Sequence, residues 1–246
     1  MSAPRQSALP VALALLAPLA LSGCTEDVDA PNRTSVAEAS VAAGPSGDAM
    51  ETTDLNDITL GAKIEGPQGP EPSGPLVGPD GKELGTISSY VACPEGMDVC
   101  LPEEAPDGTI YTYVHTIDPT ARAVRFRSAS PVYGFNGTAG FDKLQAGATL
   151  GGDVLVEMRC DKGALVWSVS GGAGWQEPVR FFWQSTLPPA GPAPKGYVMV
   201  AETGGRALGP GPAPAAPETD ADADEGTAQG KRPETKSSTN APVGCS

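Results

Sequence analysis

The feature that most constrains the fold is a series of short runs in which apolar and polar residues alternate. From Val156 to Cys160 apolar residues alternate with Glu157 and Arg159, and from Trp167 to Ser170 they alternate with serine. Because side chains alternate between the two faces of a strand, such runs are typical of strands with one buried face. Turn sequences such as Asp107-Gly108 separate the runs. The sequence therefore predicts an all-β fold.

The expected strands form a core from about residue 85 to residue 201, preceded by one short strand at 58–64. The predicted core strands are 86–92, 109–117, 123–128, 153–160, 164–170, 179–184 and 197–201. Phe182 interrupts the alternation of its run. One helical turn or two is expected at 141–146, with Thr138 as N-cap and Gly147 as its end. This profile favours a single β-sandwich-like domain with one short helix.

Segments rich in small and polar residues flank this domain. Residues 24–54 contain hardly a large apolar side chain, and 206–246 are rich in proline, alanine, glycine and acidic residues. Such compositions bury too little apolar surface to offset the entropy of ordering the chain. We therefore expect a flexible tether at 24–54, a domain at 55–205 and a disordered acidic tail at 206–246. Within the domain, 66–75 is expected to be a proline-stiffened loop.

The first residues have the layout of a secretory signal peptide. Arg5 precedes an apolar region from Leu9 to Leu21, which is too short to span a bilayer about 30 Å thick. The sequence Leu21-Ser22-Gly23-Cys24 follows the order leucine, small residue, glycine or alanine, cysteine. This stretch resembles the lipobox of bacterial lipoproteins, and the likeness covers only the N-terminus.

The resemblance implies processing at Cys24. It implies cleavage after Gly23, which removes 1–23, then diacylglycerol on the Cys24 thiol and acylation of the new amino group. More than one acyl chain gives stable attachment, since each buried methylene contributes about 0.8 kcal/mol. An aspartate after the cysteine would favour the inner membrane, and Thr25 stands there instead. The expected location is the bacterial cell envelope, with the outer membrane favoured.

Four other cysteines remain for an oxidising compartment. Cys93 and Cys100 enclose a short loop, so we expect a disulfide between them. The sequence leaves open whether Cys160 pairs with Cys245. No metal is expected, because His115 has no ligand-like spacing to any cysteine.

Charge narrows the choice of partners. The formal net charge of −14 disfavours nucleic acid and anionic lipid, which require clustered lysine and arginine. The acidic run at 220–226 lacks the glycine and the closing glutamate of an EF-hand calcium loop. No cofactor is predicted, and the expected partners are the membrane, through lipid at Cys24, and a glycan or an envelope protein.

Aromatic residues are the candidates for ligand binding. Trp175 follows a glycine-rich turn, and Tyr111 and Tyr113 share one face of a predicted strand. Such residues can form a platform on which a glycan stacks. Trp167 and Trp183 are expected in the core instead.

A catalytic constellation is not apparent in the sequence. His115 as a general base, or a pair among Asp142, Glu157 and Asp161, would suit a hydrolase of envelope polysaccharide if these groups converge in a cleft. We therefore assign no catalytic residue. The leading hypothesis is a lipid-anchored envelope protein that acts as a non-catalytic binding or structural module, and the alternative is that hydrolase.

Overall fold

The computed structural model describes residues 50, 52–65, 71–151, 155–171, 174–214 and 245. These residues belong to one compact unit, Pro45–Ser246. The predicted signal peptide, Cys24 and the acidic run at 220–226 lie outside the described residues. Within the described part of the chain, no helix has the length and apolar character needed to cross a membrane.

The described residues form strands, one α-helix and one short 3-10 helix. The strands are β1 Thr53–Asp54, β2 Leu60–Lys63, β3 Ser73–Val77, β4 Glu83–Pro94, β5 Tyr111–Pro119, β6 Ala123–Ser128, β7 Phe135–Phe141, β8 Val156–Asp161, β9 Ala164–Val169, β10 Val179–Ser185, β11 Pro189–Ala201 and β12 Arg206–Pro214. The α-helix α1 is Lys143–Leu150, and the 3-10 helix is Leu55–Asp57. The predicted all-β class with one short helix is confirmed.

The strands form one sheet that curls on itself. Its order is β1-β7-β10-β5-β4-β3-β12-β11-β6-β9-β8, and β2 pairs with β4. We call β1, β7, β10, β5 and β4 the first half, and β12, β11, β6, β9 and β8 the second half. The halves face each other across the core, where Phe126 lies 5.0 Å from Phe181, ring centre to ring centre. Trp167 Nε1 also donates to the Gly140 carbonyl across the core, at 3.0 Å.

The interruption at Phe182 has a structural cause. Phe181 and Trp183 point into the main core, whereas Phe182 points to the opposite face of β10. There it packs with Leu55 and Val114 in a second apolar cluster. The segment before β2 covers this part of the outer face, so Phe182 is buried as fully as Phe181 and Trp183.

Several strands arise from stretches without apolar alternation. The tail predicted to begin at residue 206 is wrong at its start, because β12 continues the sheet to Pro214. Fixed proline φ angles suit extended backbone, and glycine admits close packing. A Cβ on Gly211 would overlap the ring of Tyr197. The tether prediction likewise extends too far, since Thr53 pairs with Gly140.

The helix also differs from its prediction. It begins at Lys143 after the N-cap Asp142, whose carboxylate accepts the Gln145 N–H at 2.9 Å. Thr138 lies within β7, and Gly147 lies inside the helix, which ends at Leu150. A carboxylate at the N-cap satisfies an otherwise unpaired N–H, and a helix interior tolerates one glycine at a cost of about 1 kcal/mol.

Two disulfides are present among the described residues. Cys93 and Cys100, the pair expected from their spacing, are bonded with their Cα atoms 5.6 Å apart. Cys160 of β8 is bonded to Cys245 at the same Cα separation. The second bond closes a long loop, which stabilises the fold by limiting the unfolded ensemble, typically by about 2–4 kcal/mol. It attaches the C-terminal end of the chain to the second half of the sheet.

Candidate functional site

The aromatic residues predicted to bind a glycan are buried. Trp175 and Tyr113 are exposed by 1% or less, and Tyr111 by 3%. Tyr113 stacks on Trp183 with ring centres 4.3 Å apart, and Trp175 packs on Phe181. The predicted stacking platform is therefore wrong, because all three tryptophans lie in the core and their ring faces are unavailable to a glycan.

His115 is part of a buried polar network. Trp183 Nε1 donates to His115 Nε2 at 3.2 Å, and His115 Nδ1 lies 2.9 Å from Ser89 Oγ. Since an indole N–H can only donate, the His115 proton lies on Nδ1 and is donated to Ser89. Burial lowers the pKa of His115 to about 3. The imidazole is therefore neutral near pH 7 and links β4, β5 and β10 inside the core.

The three carboxylates considered for hydrolysis do not meet. Asp142 forms an ion pair with Arg180 at the start of α1, whereas Asp161 forms one with Arg127 at 3.3 Å. Glu157 lies four residues before Asp161 on β8, about 13 Å away along the strand. That separation exceeds the 5–10 Å that a glycosidase needs. Among the described residues, no cleft unites these groups with His115.

The pKa of Asp142 agrees with a structural role. Burial alone would raise this pKa, but the hydrogen bonds from the Gln145 backbone, Asn56 and Arg180 outweigh it and lower the pKa. The carboxylate is ionised at neutral pH and holds three chain segments together. A general acid needs the opposite shift.

A candidate surface site lies where β3 meets β12. These strands share a single registered pair, Val77 with Leu208. Beyond that pair the β12 partner is Pro210, whose ring would lie 3.0 Å from a Cβ on Gly74. Pro75 and Pro210 have no N–H to donate, so they cannot extend a ladder of hydrogen bonds here. The two halves of the sheet are therefore joined by a proline-interrupted seam.

A shallow groove follows this seam. Two adjoining hollows of about 460 and 580 Å³ share Gly78 and Pro79. Apolar side chains line the larger one, including Pro75, Val77 and Leu208. We call this surface, from Ser73 to Lys82 on one side and from Pro194 to Pro210 on the other, the seam groove.

Cations flank the seam groove at both ends. Lys82 and Arg206 line one end, and Lys195 lines the other. No ion pair involves any of the three among the described residues. The acidic group in the lining is Asp80, whose carboxylate accepts the Lys82 backbone N–H at 3.1 Å. In a chain of net charge −14, an apolar groove flanked by unpaired cations is suited to an anionic, partly apolar ligand.

The sequence prediction missed the seam groove because its strands were assigned to a loop and a tail. Prolines and glycines carry no period-2 apolar signal, so β3 and β12 were not recognised. Two signals were present. Pro79-Asp80-Gly81 is turn chemistry directly after Leu76-Val77, and Gly204-Gly205 stands before Ala207-Leu208.

Nothing in this geometry depends on likeness to another protein. Comparison with protein-family models, with curated proteins and with solved structures finds no match for this chain.

Proposed function

We propose that this chain is a lipid-anchored protein of the bacterial envelope that binds a segment of another envelope protein without catalysis. The lipid is attached at Cys24, and the outer membrane is the favoured location. The seam groove is the binding surface, and its ligand is a short segment that carries both carboxylates and aliphatic side chains.

One observation carries the binding proposal: unpaired cations stand at both ends of an apolar groove. Val77 and Leu208 offer apolar contact, while Lys82 and Arg206 offer charge. Strand β3, Ser73–Val77, spans about 13 Å at 3.3 Å per residue, and the groove continues past it to Lys82, so it can hold a segment of about six residues. A carboxylate at each end of such a segment would lie near a cation.

Two further features support the envelope location. The residues Leu21-Ser22-Gly23-Cys24 match the lipobox order. The disulfides Cys93–Cys100 and Cys160–Cys245 suit an oxidising compartment.

The anchor is tested by expressing the full chain and its Cys24→Ser variant in a Gram-negative bacterium. We expect the unsubstituted chain in the membrane fraction with a mass that includes diacylglycerol and an N-acyl chain, and the variant in the soluble fraction. An unmodified Cys24, or membrane retention of the variant, would overturn the anchor.

The groove is tested with a fluorescent six-residue peptide in which glutamate alternates with valine. We expect weak binding that decreases with salt and falls about fivefold in Lys82→Glu, as for an exposed ion pair reversed in sign. Lys143→Glu is the matched control, because Lys143 is exposed on α1, outside the groove. Equal affinity for a lysine–valine peptide, or equal loss in both variants, would overturn the assignment.

A further inference from the structure

The loop closed by the Cys93–Cys100 disulfide has exposed apolar side chains at its base, on either side of Cys100. Val99 is 67% exposed and Leu101 is 43% exposed, although Cys100 between them is buried. Two large aliphatic side chains exposed on either side of one cysteine form a small apolar surface that a partner can cover. We call residues 94–101 the acidic loop, for the charges described below.

The acidic loop is held in one shape. Besides the disulfide, the Ala62 N–H donates to the Met97 carbonyl at 2.8 Å, and Met97 packs against the core. Gly96 has φ +84°, which permits the turn. A surface fixed in advance loses little conformational entropy when it binds.

Exposed carboxylates lie close in sequence to these apolar side chains. Glu95 and Asp98 are exposed within the loop, and Glu104 and Asp107 are exposed just after it. No ion pair involves these four carboxylates among the described residues. The acidic loop thus presents exposed aliphatic and acidic residues close together in the sequence, and the seam groove is an aliphatic surface with cations at its ends.

Strand β4 keeps these two surfaces apart within one molecule. Lys82 and Leu84 of the groove stand at its beginning, and Pro94 of the acidic loop is its last residue. The far end of the groove therefore lies about 36 Å from Pro94, and the near end, where Ser73 pairs with Ser88, lies about 20 Å from it at 3.3 Å per residue. The acidic loop therefore cannot enter its own groove.

We propose that the seam groove binds the acidic loop of a second copy of this chain, so that copies associate head to tail. This inference rests on the proposed function of the groove and names its partner. Val99 and Leu101 contact the apolar lining near Val77 and Leu208, and carboxylates of the loop lie near Lys82 and Arg206. Different surfaces meet on the two copies, so the contact can repeat along a row of anchored molecules.

The contact area of one loop in one shallow groove makes the association weak and dependent on salt. Attachment of both copies to one membrane raises their effective concentration. The association is therefore expected to matter at the membrane surface and to need high concentration in solution.

Charge reversal tests the proposal by sedimentation equilibrium at low salt, with the full chain carrying Cys24→Ser. One chain receives Glu95→Lys with Asp98→Lys in the loop, and another receives Lys82→Glu with Arg206→Glu in the groove. We expect the parent chain to self-associate, and each reversed chain alone to associate at least tenfold more weakly. A mixture of the two should regain association, because each reversed surface then meets its complement.

The outcomes separate this inference from the proposed function. If the glutamate–valine peptide binds the groove but neither the parent chain nor the mixture associates, the groove keeps its function and the head-to-tail contact is overturned. If the reversed chains associate as strongly as the parent, the contact is also overturned. Circular dichroism checks that both reversed chains are folded, and Lys143→Glu serves again as the charge control.

Discussion

The buried network around His115 and the seam groove differ in opposite ways from what their residue types suggest. The network has residue types typical of a catalytic site but lies in the core, whereas the groove has few polar residues but is open to a ligand. His115, Ser89 and Trp183 include the groups of catalytic sites, yet each finds its partner inside the core. The seam groove consists largely of proline, glycine and aliphatic residues, yet its cations have no ion-pair partner among the described residues. Reactive residue types have a structural role when they form hydrogen bonds with one another in the core. A binding surface lies where prolines prevent two strands from completing their backbone hydrogen bonds.

Truncation of Trp183 is expected to reduce stability more than any other change considered, and it tests whether the buried network has a structural role. Its indole is 1% exposed, stacks on Tyr113 and donates to both His115 and Tyr197. We expect Trp183→Ala to lower the free energy of unfolding by about 3–5 kcal/mol, measured by urea denaturation. Peptide affinity at the seam groove should not change in the molecules that remain folded. A loss of affinity without a loss of stability would contradict the structural role.

The sequence predicted best those strands whose core face is continuous. Strand β6 matches its predicted bounds, and in its second half the buried Phe126 and Ser128 alternate with the more exposed Arg125 and Arg127. Trp175 could not be placed, since a tryptophan after a glycine-rich turn fits a surface loop as well as the core. Its burial depends on the pairing with Ala123, which is distant in the chain.

The candidate site was less predictable than the fold for a physical reason. The seam groove needs β3 and β12 side by side, and these strands are separated by most of the domain. The disulfide from Cys160 to Cys245 likewise spans 85 residues. Local patterns report on which face of a strand is buried, but they carry no information about which strands become neighbours.

The second-largest expected effect is a loss of stability at low pH. It tests the buried network through His115, the only histidine of the chain. His115 has a folded pKa of about 3 and an unfolded value near 6.5. Between these values the unfolded chain binds more protons, so stability falls as the pH decreases below 6.5. We expect a loss of about 1.4 kcal/mol per pH unit, measured by urea denaturation between pH 6.5 and 4.5, above the titration of most carboxylates.

His115→Gln is the control for this titration. Glutamine keeps a polar side chain but gains no proton in this range, so the variant should be less stable at pH 7 yet lose little further stability on acidification. Parallel pH profiles for the two proteins would show that His115 is solvated in the folded state, contrary to its burial.

The smallest effect on stability is expected in the seam groove. Leu208 is 36% exposed on β12, and Leu144 is 77% exposed on α1, outside the groove. We expect Leu144→Ser to change the free energy of unfolding by no more than about 0.5 kcal/mol, as for other surface substitutions. Leu208→Ser should lower it by about 1–2 kcal/mol, because about two thirds of this side chain is already buried. Peptide binding should separate them, because a Leu208 side chain that buries part of its surface against the ligand contributes about 1 kcal/mol.

Leu208→Ser is therefore expected to weaken glutamate–valine peptide binding about fivefold, measured by fluorescence anisotropy, while Leu144→Ser leaves it unchanged. Equal affinities in the two variants would mean that the ligand contacts the cations without entering the groove. A large loss of stability in Leu208→Ser would mean that the seam is part of the core. Either result would remove the contrast between a core whose polar groups satisfy one another and a proline seam that leaves a surface open to a ligand.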